Sequence, residues 1–365
     1  MDATPETGRP AEPQQPPIFE PQPERSASSR IFFGRFGMRA GWGIAIFLIF
    51  WLIVTVVGQL FGLAASGNLH KVLEARTQAH AHPHAPHPSL DLDFVPILTI
   101  AMDGFWFVGL FALCWFFSRA ERRRISSYGI GSYRWKDVFP GAFWGLAIMS
   151  ALVWVLRMDH VLVFDSRALS GSAAWLYGAK WLLAFLCVGL AEEYMFRGYF
   201  QFTWMRGLWG LAERIAPAHP RPVAFWLAAI VSSLWFFLLH TGNSGENRFG
   251  LFAVFLAGVL FTYALWRTGS LWWGIGFHMA WDWAQSFLFG VADSGNISVG
   301  RLYITHPAGN PLLSGGEAGP EGSVFVIGAL VIALLVLRFT PSGTQPEIEQ
   351  GSLGKAIPRE VSAAL

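Results

Sequence analysis

This chain has little charge, little cysteine and no leader-like start. Asp, Glu, Lys and Arg make up only 14% of its 365 residues, and the formal net charge is +2. The few basic residues stand beside apolar runs instead of forming one patch, which excludes a nucleic-acid surface. Its two cysteines, Cys114 and Cys187, both lie inside apolar runs. That excludes a disulfide framework and a cysteine-ligated zinc site, and both read as small buried hydrophobes. No apolar h-region follows a charged segment near Met1, so no cleavable signal peptide is expected. The sequence also lacks an HExxH motif. It has no inverted repeat and no matching pair of Gly/Pro-interrupted spans of the kind carriers use.

Apolar residues fill the space left by charge. They make up 53% of the chain, and aromatics alone 16%. Composition of this kind predicts an all-α, polytopic transmembrane helical bundle embedded in a lipid bilayer. A crossing needs about 20 apolar residues. On that measure eight spans are expected, near 41–65, 94–117, 137–156, 176–200, 223–240, 249–266, 271–289 and 323–339. Residues 119–124, RAERRR, with Arg134 and Lys136, mark one side as basic. The positive-inside rule then predicts a multi-pass protein of the cytoplasmic membrane with both termini cytoplasmic.

The organisation reads as a Pro-rich disordered tail over 1–30, two N-terminal spans within 31–124 and a core over 125–290. An outer loop with a last span follows over 291–340, and a second disordered tail over 341–365. The first two spans are joined through a His-rich tract with His80, His82, His84 and His87, read as a Pro-stiffened solvated connector. The Gly-, Ser- and Pro-rich stretch 290–322 reads as a flexible outer connection.

Chemistry is expected where polar groups interrupt the apolar spans. An ionisable side chain at membrane depth costs a few kcal/mol on insertion scales, so such residues are rare and generally functional. WLLAFLCVGLAEEYMFRGYF, residues 181–200, holds Glu192, Glu193 and Arg197. Glu193 and Arg197 are spaced i, i+4 and can neutralise each other, which leaves Glu192 as a free carboxylate. SSLWFFLLH places His240 four residues after Phe236, and GFHMAWDW places His278 four residues before Asp282. Two carboxylates and two imidazoles converging from three helices suit water activation beside a polarised carbonyl, meaning hydrolysis.

These three segments resemble the motifs of a known family. EEYMFRGYF is similar to the EExxxR motif of the CAAX prenyl endopeptidase and bacteriocin-processing (CPBP, or Abi) intramembrane proteases. FFLLH resembles its FxxxH motif at Phe236 and His240, and HMAWD its HxxxN or HxxxD motif at His278 and Asp282. The resemblance covers about residues 125–290. It implies roughly eight helices around a polar intramembrane cavity, and endopeptidase activity on membrane-associated or C-terminal, CAAX-like substrates. It further implies that Glu192 activates water, that His240 positions it, and that His278 and Asp282 stabilise the oxyanion. Glu193, Arg197 and Phe236 would support the site. An ionised Asp282 only accepts hydrogen bonds, so His278 is the expected donor and Asp282 the residue that orients it.

Two other readings stay open at this point. Glu192, His240 and His278 could form a His₂Glu zinc site with an open water position. Alternatively, intramembrane Glu, His and Asp could serve a non-enzymatic proton or ion carrier, or an immunity-type membrane protein. Depth sets a further tension. At about 1.5 Å per residue, Glu192 falls roughly 24 Å from the outer start of its span, whereas His240, about 25 Å from the inner start of its own, falls in the outer half.

Overall fold

In a computed structural model of the chain, residues 31–81, 94–121, 123–243, 245, 247–343 are described. The two tails and most of the His-rich tract, including His82, His84 and His87, lie outside them. The described chain is a helical bundle, as expected where backbone groups have only each other for hydrogen bonding. A short hairpin of β1 (Phe33–Gly34) and β2 (Gly37–Met38) precedes α1 (Ala40–Ala65) and α2 (Leu69–Ala81). Then come α3 (Pro96–Ala120), α4 (Val138–Met158), strand β3 (Leu162–Arg167) and α5 (Gly171–Ile215). Next are α6 (Pro220–His240), α7 (Arg248–Thr268) and α8 (Trp272–Asp282), the last continued by a π-helical turn over Trp283–Leu288. Strand β4 (Tyr303–Pro307), the single turn α9 (Pro311–Ser314) and α10 (Val326–Phe339) complete the order.

Six helices are long and apolar enough to cross a membrane: α1, α3, α4 with the turn before it, α5, α6 and α7. The remaining two expected spans are present as shorter helices, 11 residues in α8 before its π turn and 14 in α10. Successive crossings run in opposite directions. One end of the bundle gathers Arg123, Arg206 and Arg267, and the other carries the antiparallel pair β3–β4, with a register shift between Phe164 and Ser166.

Stretch 290–322 differs from its expectation as a flexible connector. It pairs β4 with β3 and caps α7 from the side: Asn247 accepts from the Phe249 and Gly250 amides and donates to the Gly322 carbonyl. Ala292, Ser298, Ser314 and Ala318 are buried within it. Irregular backbone is tolerated near membrane depth where it is packed in protein or lines a polar cavity, and this stretch does both.

Packing brings the site helices close. Between α4 and α8 a Cβ at Gly141, Gly145 or Gly276 would overlap the facing backbone, so only glycine permits this approach. Aromatic side chains fill the opposite side: Tyr199 stacks on Phe47, Phe117 and Tyr128 and donates its hydroxyl to the Gly43 carbonyl at 2.6 Å. That contact ties α1 to the arginine-end half of α5.

Candidate active site

Helix α5 carries the glutamate pair, and adjacent helical residues point about 100° apart. The side chain of Glu193 is 1% exposed, whereas that of Glu192 is 22% exposed and lines a cavity of 460 Å³. Immediately after the pair, the helix widens into a π-helical segment over Tyr194–Phe200. A second π turn follows Asp282 at the end of α8. Such turns concentrate at functional sites because they re-aim side chains within an otherwise regular helix.

Glu193 binds in two directions with one oxygen. Its Oε1 accepts from Arg197 Nη1 at 3.0 Å and lies 3.1 Å from His278 Nδ1. A carboxylate can only accept, so Nδ1 carries the proton and His278 donates. Nε2 of His278 then faces the cavity, 3.8 Å from Glu192 Oε2 and 3.6 Å from Asp282 Oδ2, both outside hydrogen-bond range. The hydrogen bond that orients His278 therefore comes from Glu193, and Asp282 stands at the opposite nitrogen. Gly274 leaves room for this contact, because a Cβ there would sit 3.3 Å from Glu193 Oε2.

Phe236 joins the second motif to the first. The Arg197 guanidinium lies 4.5 Å from the Phe236 ring centre and 5.0 Å from that of Phe261, while Phe261 stacks on His278 at 5.2 Å. On its other side Phe236 meets the His240 ring at 4.4 Å. Nδ1 of His240 lies 2.8 Å from the Phe236 carbonyl, which accepts only, so Nε2 is the nitrogen left to accept a proton or a water hydrogen.

All four of Glu192, His240, His278 and Asp282 line the one cavity. The depth tension resolves through the level of α6. Its Phe225 carbonyl accepts from Gln201 at 2.9 Å, and Phe236 packs on Phe196 at 4.9 Å between ring centres. Helix α6 thus starts beside the arginine-end extension of α5, which places its His240 end next to the glutamate segment instead of far above it. Counting residues from an assumed membrane boundary missed this.

Side chains not singled out in the sequence complete the cavity: Asp103 on α3, Asn243 after α6, and Asp293, Asn296 and Glu321 from the 289–325 stretch. Asp103 carried the same signal as Glu192, a carboxylate inside an apolar span. Asp293 and Glu321 sit in loop-like composition, where nothing local tells a cavity-lining acid from a solvated one. Burial pushes the Asp293 carboxyl up to about 6, against the hydrogen bond it accepts from Ser286 at 2.9 Å and the pull of His278.

Among the described residues the trio of metal-type side chains whose donor atoms all fall within 4.8 Å of one another is Asp282, Asp293 and Glu321. The donor atoms of Glu192, His240 and His278 do not form such a group in this geometry.

Residues 174–284 match the family described as type II CAAX prenyl endopeptidase, Rce1-like. No curated protein and no solved structure matches the chain. The matched segment runs from within α5 past Asp282 and takes in all three motifs, which meet around one cavity in a polytopic helical bundle. The match over residues 174–284 supports the resemblance of this segment to the CAAX prenyl endopeptidase family.

Proposed function

We propose that this protein is an intramembrane endopeptidase in which Glu192 activates water against a peptide bond of a membrane-associated substrate. The observation that supports this most is the division of labour between the two glutamates. Glu193 is consumed by Arg197 and His278, while Glu192 faces the cavity that His240, His278 and Asp282 share. In the reaction, Glu192 takes a proton from a water held by Nε2 of His240, and the hydroxide attacks the scissile carbonyl. Nε2–H of a protonated His278 donates to the resulting oxyanion, and Glu192 returns its proton to the leaving amine. Asp282, on the same side of His278, steadies that imidazolium. The arginine-rich end faces the cytoplasm in this reading, with both termini on that side.

The test is cleavage of labelled peptides by the purified full chain in liposomes, with wild type, Glu192→Ala and Glu193→Ala run with and without a chelator. Cleavage lost in Glu192→Ala and indifferent to the chelator is the expected result. Loss on chelation would transfer the chemistry to a metal. Ion flux that depends on Glu192, from a folded preparation that cuts no peptide, would replace the endopeptidase with a carrier.

A further inference from the structure

A second cavity, of 390 Å³, opens at the hairpin end of the bundle and shares no lining residue with the active-site cavity. Its wall comes from the last turns of α4, from β3, and from Phe289 and Tyr303. Successive residues of a regular strand face opposite ways, yet Phe164, Asp165, Ser166 and Arg167 all border this cavity. The register shift between Phe164 and Ser166 accounts for it: Asp165 is the extra residue, and such bulges re-aim side chains. Two guanidinium groups meet here. Arg157, in the last turn of α4, lies 5.0 Å from the Phe164 ring centre and donates no hydrogen bond to a described residue. Arg167 donates through Nε to the Leu169 carbonyl at 2.9 Å, which leaves both Nη groups without a partner among the described residues. The carboxylate on the wall, Asp165, is taken up by His306, whose Nδ1 lies 2.8 Å away. Two cations against one partnered acid leave the cavity with net positive charge.

What surrounds these cations narrows the anion. The cavity reaches from Arg157 to Ser150, about 10 Å deeper along the apolar span of α4. Phe139, Phe143, Trp154 and Met158 share one face of that helix and are each at least 60% exposed, and Trp154 also borders the cavity. Trp and Tyr rings settle at headgroup level, and the guanidinium fork matches phosphate oxygens as a point charge does not. A soluble anion has no use for an apolar approach along a span, whereas a lipid brings a phosphate and acyl chains together. We propose that this cavity binds the phosphate of an anionic phospholipid, with Arg157 and Arg167 on the headgroup and the acyl chains along the exposed face of α4. The site stands apart from the catalytic residues and does not depend on the endopeptidase reading.

Full-length protein in detergent micelles would be titrated with short-chain phosphatidylglycerol and with phosphatidylcholine of the same chain length. Glycerol phosphate and inorganic phosphate would be titrated separately. Bound molecules are counted by native mass spectrometry, and affinity is read from the rise in unfolding temperature with ligand concentration. Phosphatidylglycerol is expected to bind at least about tenfold tighter than phosphatidylcholine, an advantage that salt weakens. Arg157→Gln with Arg167→Gln should bring the two lipids level and leave the lipid-free unfolding temperature nearly unchanged. Ser150→Trp, which fills the cavity without altering charge, should also remove the preference, and it decides the matter if the double variant folds poorly. Lys180→Gln, at an exposed cation of α5 outside the cavity, should keep it. Equal binding of the two lipids to wild type overturns the proposal, as does a preference that survives both the double substitution and Ser150→Trp. A preference lost equally in Lys180→Gln would assign it to diffuse surface charge, which also overturns the site. Inorganic phosphate or glycerol phosphate binding as tightly as phosphatidylglycerol would give the two arginines to a soluble anion and overturn the lipid assignment.

Discussion

Glu193 is the residue on which the site's geometry depends, because one buried oxygen holds both the helix's own arginine and the histidine of α8. Removing one partner of a buried pair leaves the other charge uncompensated, which costs about 3–5 kcal/mol. Glu193→Gln is therefore expected to lower the thermal midpoint in detergent and to impair cleavage together. Glu192→Gln, at a position with cavity exposure, should leave the midpoint nearly unchanged and lower kcat by about 10²–10⁴. Equal melting losses in the two variants would contradict this division of roles. Asp293 supplies a pH dependence of its own. Its carboxyl is held near 6 in the folded chain against an ordinary 3.8, so the folded state binds the proton more tightly. The stability this contributes is complete below about pH 4 and is lost as pH rises through 6. Asp293→Asn should flatten that part of the stability profile between pH 4 and 7, measured as unfolding temperature against pH.

At the scale of elements, the close approach of α4 and α8 is what sets the position of His278. A leucine at Gly145 would force the helices apart at Phe277, one residue before the histidine, and is expected to cost about 3 kcal/mol or more. Gly210 of α5, with open space around it, is the control, since alanine there should gain about 0.5–1 kcal/mol. Both would be read as thermal unfolding, and cleavage should fall only in the first. Elements were the most legible part of the sequence: apolar length alone marks the helices, because a bilayer leaves the backbone no other partner. The polar motifs were legible for the same reason, as ionisable residues against an apolar background. What was not legible is long-range. Two π-helical segments leave no periodic trace, the starting level of α6 depends on its contacts with Gln201 and Phe196, and the stretch with Asp293 and Glu321 has the composition of a surface loop. Asp103 is a different case. The rule that selected Glu192 applies to it equally, but no partner motif in the sequence drew it in.

Across the whole molecule, helix lengths are uneven in a way that follows the cavity. Helix α5 has 45 residues, about 67 Å, twice the hydrocarbon thickness, whereas α10 has 14, about 21 Å. Where crossings are short, the 289–325 stretch supplies the wall, and it brings polar backbone and acids to the hairpin end of the cavity. That end and the arginine-rich end must face opposite sides of the membrane, because α4, 21 residues and about 31 Å long, separates Arg124 from the strand pair that holds His306. Basic residues next to spans are retained on the cytoplasmic side, so Arg124 is expected inside and His306 outside. The check is a chain with Cys114 and Cys187 replaced by alanine, carrying either Arg124→Cys or His306→Cys, two exposed positions, treated in intact cells with a membrane-impermeant maleimide. Labelling of the His306→Cys chain alone, with Arg124→Cys reacting only after permeabilisation, is the expected result. The reverse pattern would invert the molecule, and the hairpin end of the cavity would then open to the cytoplasm.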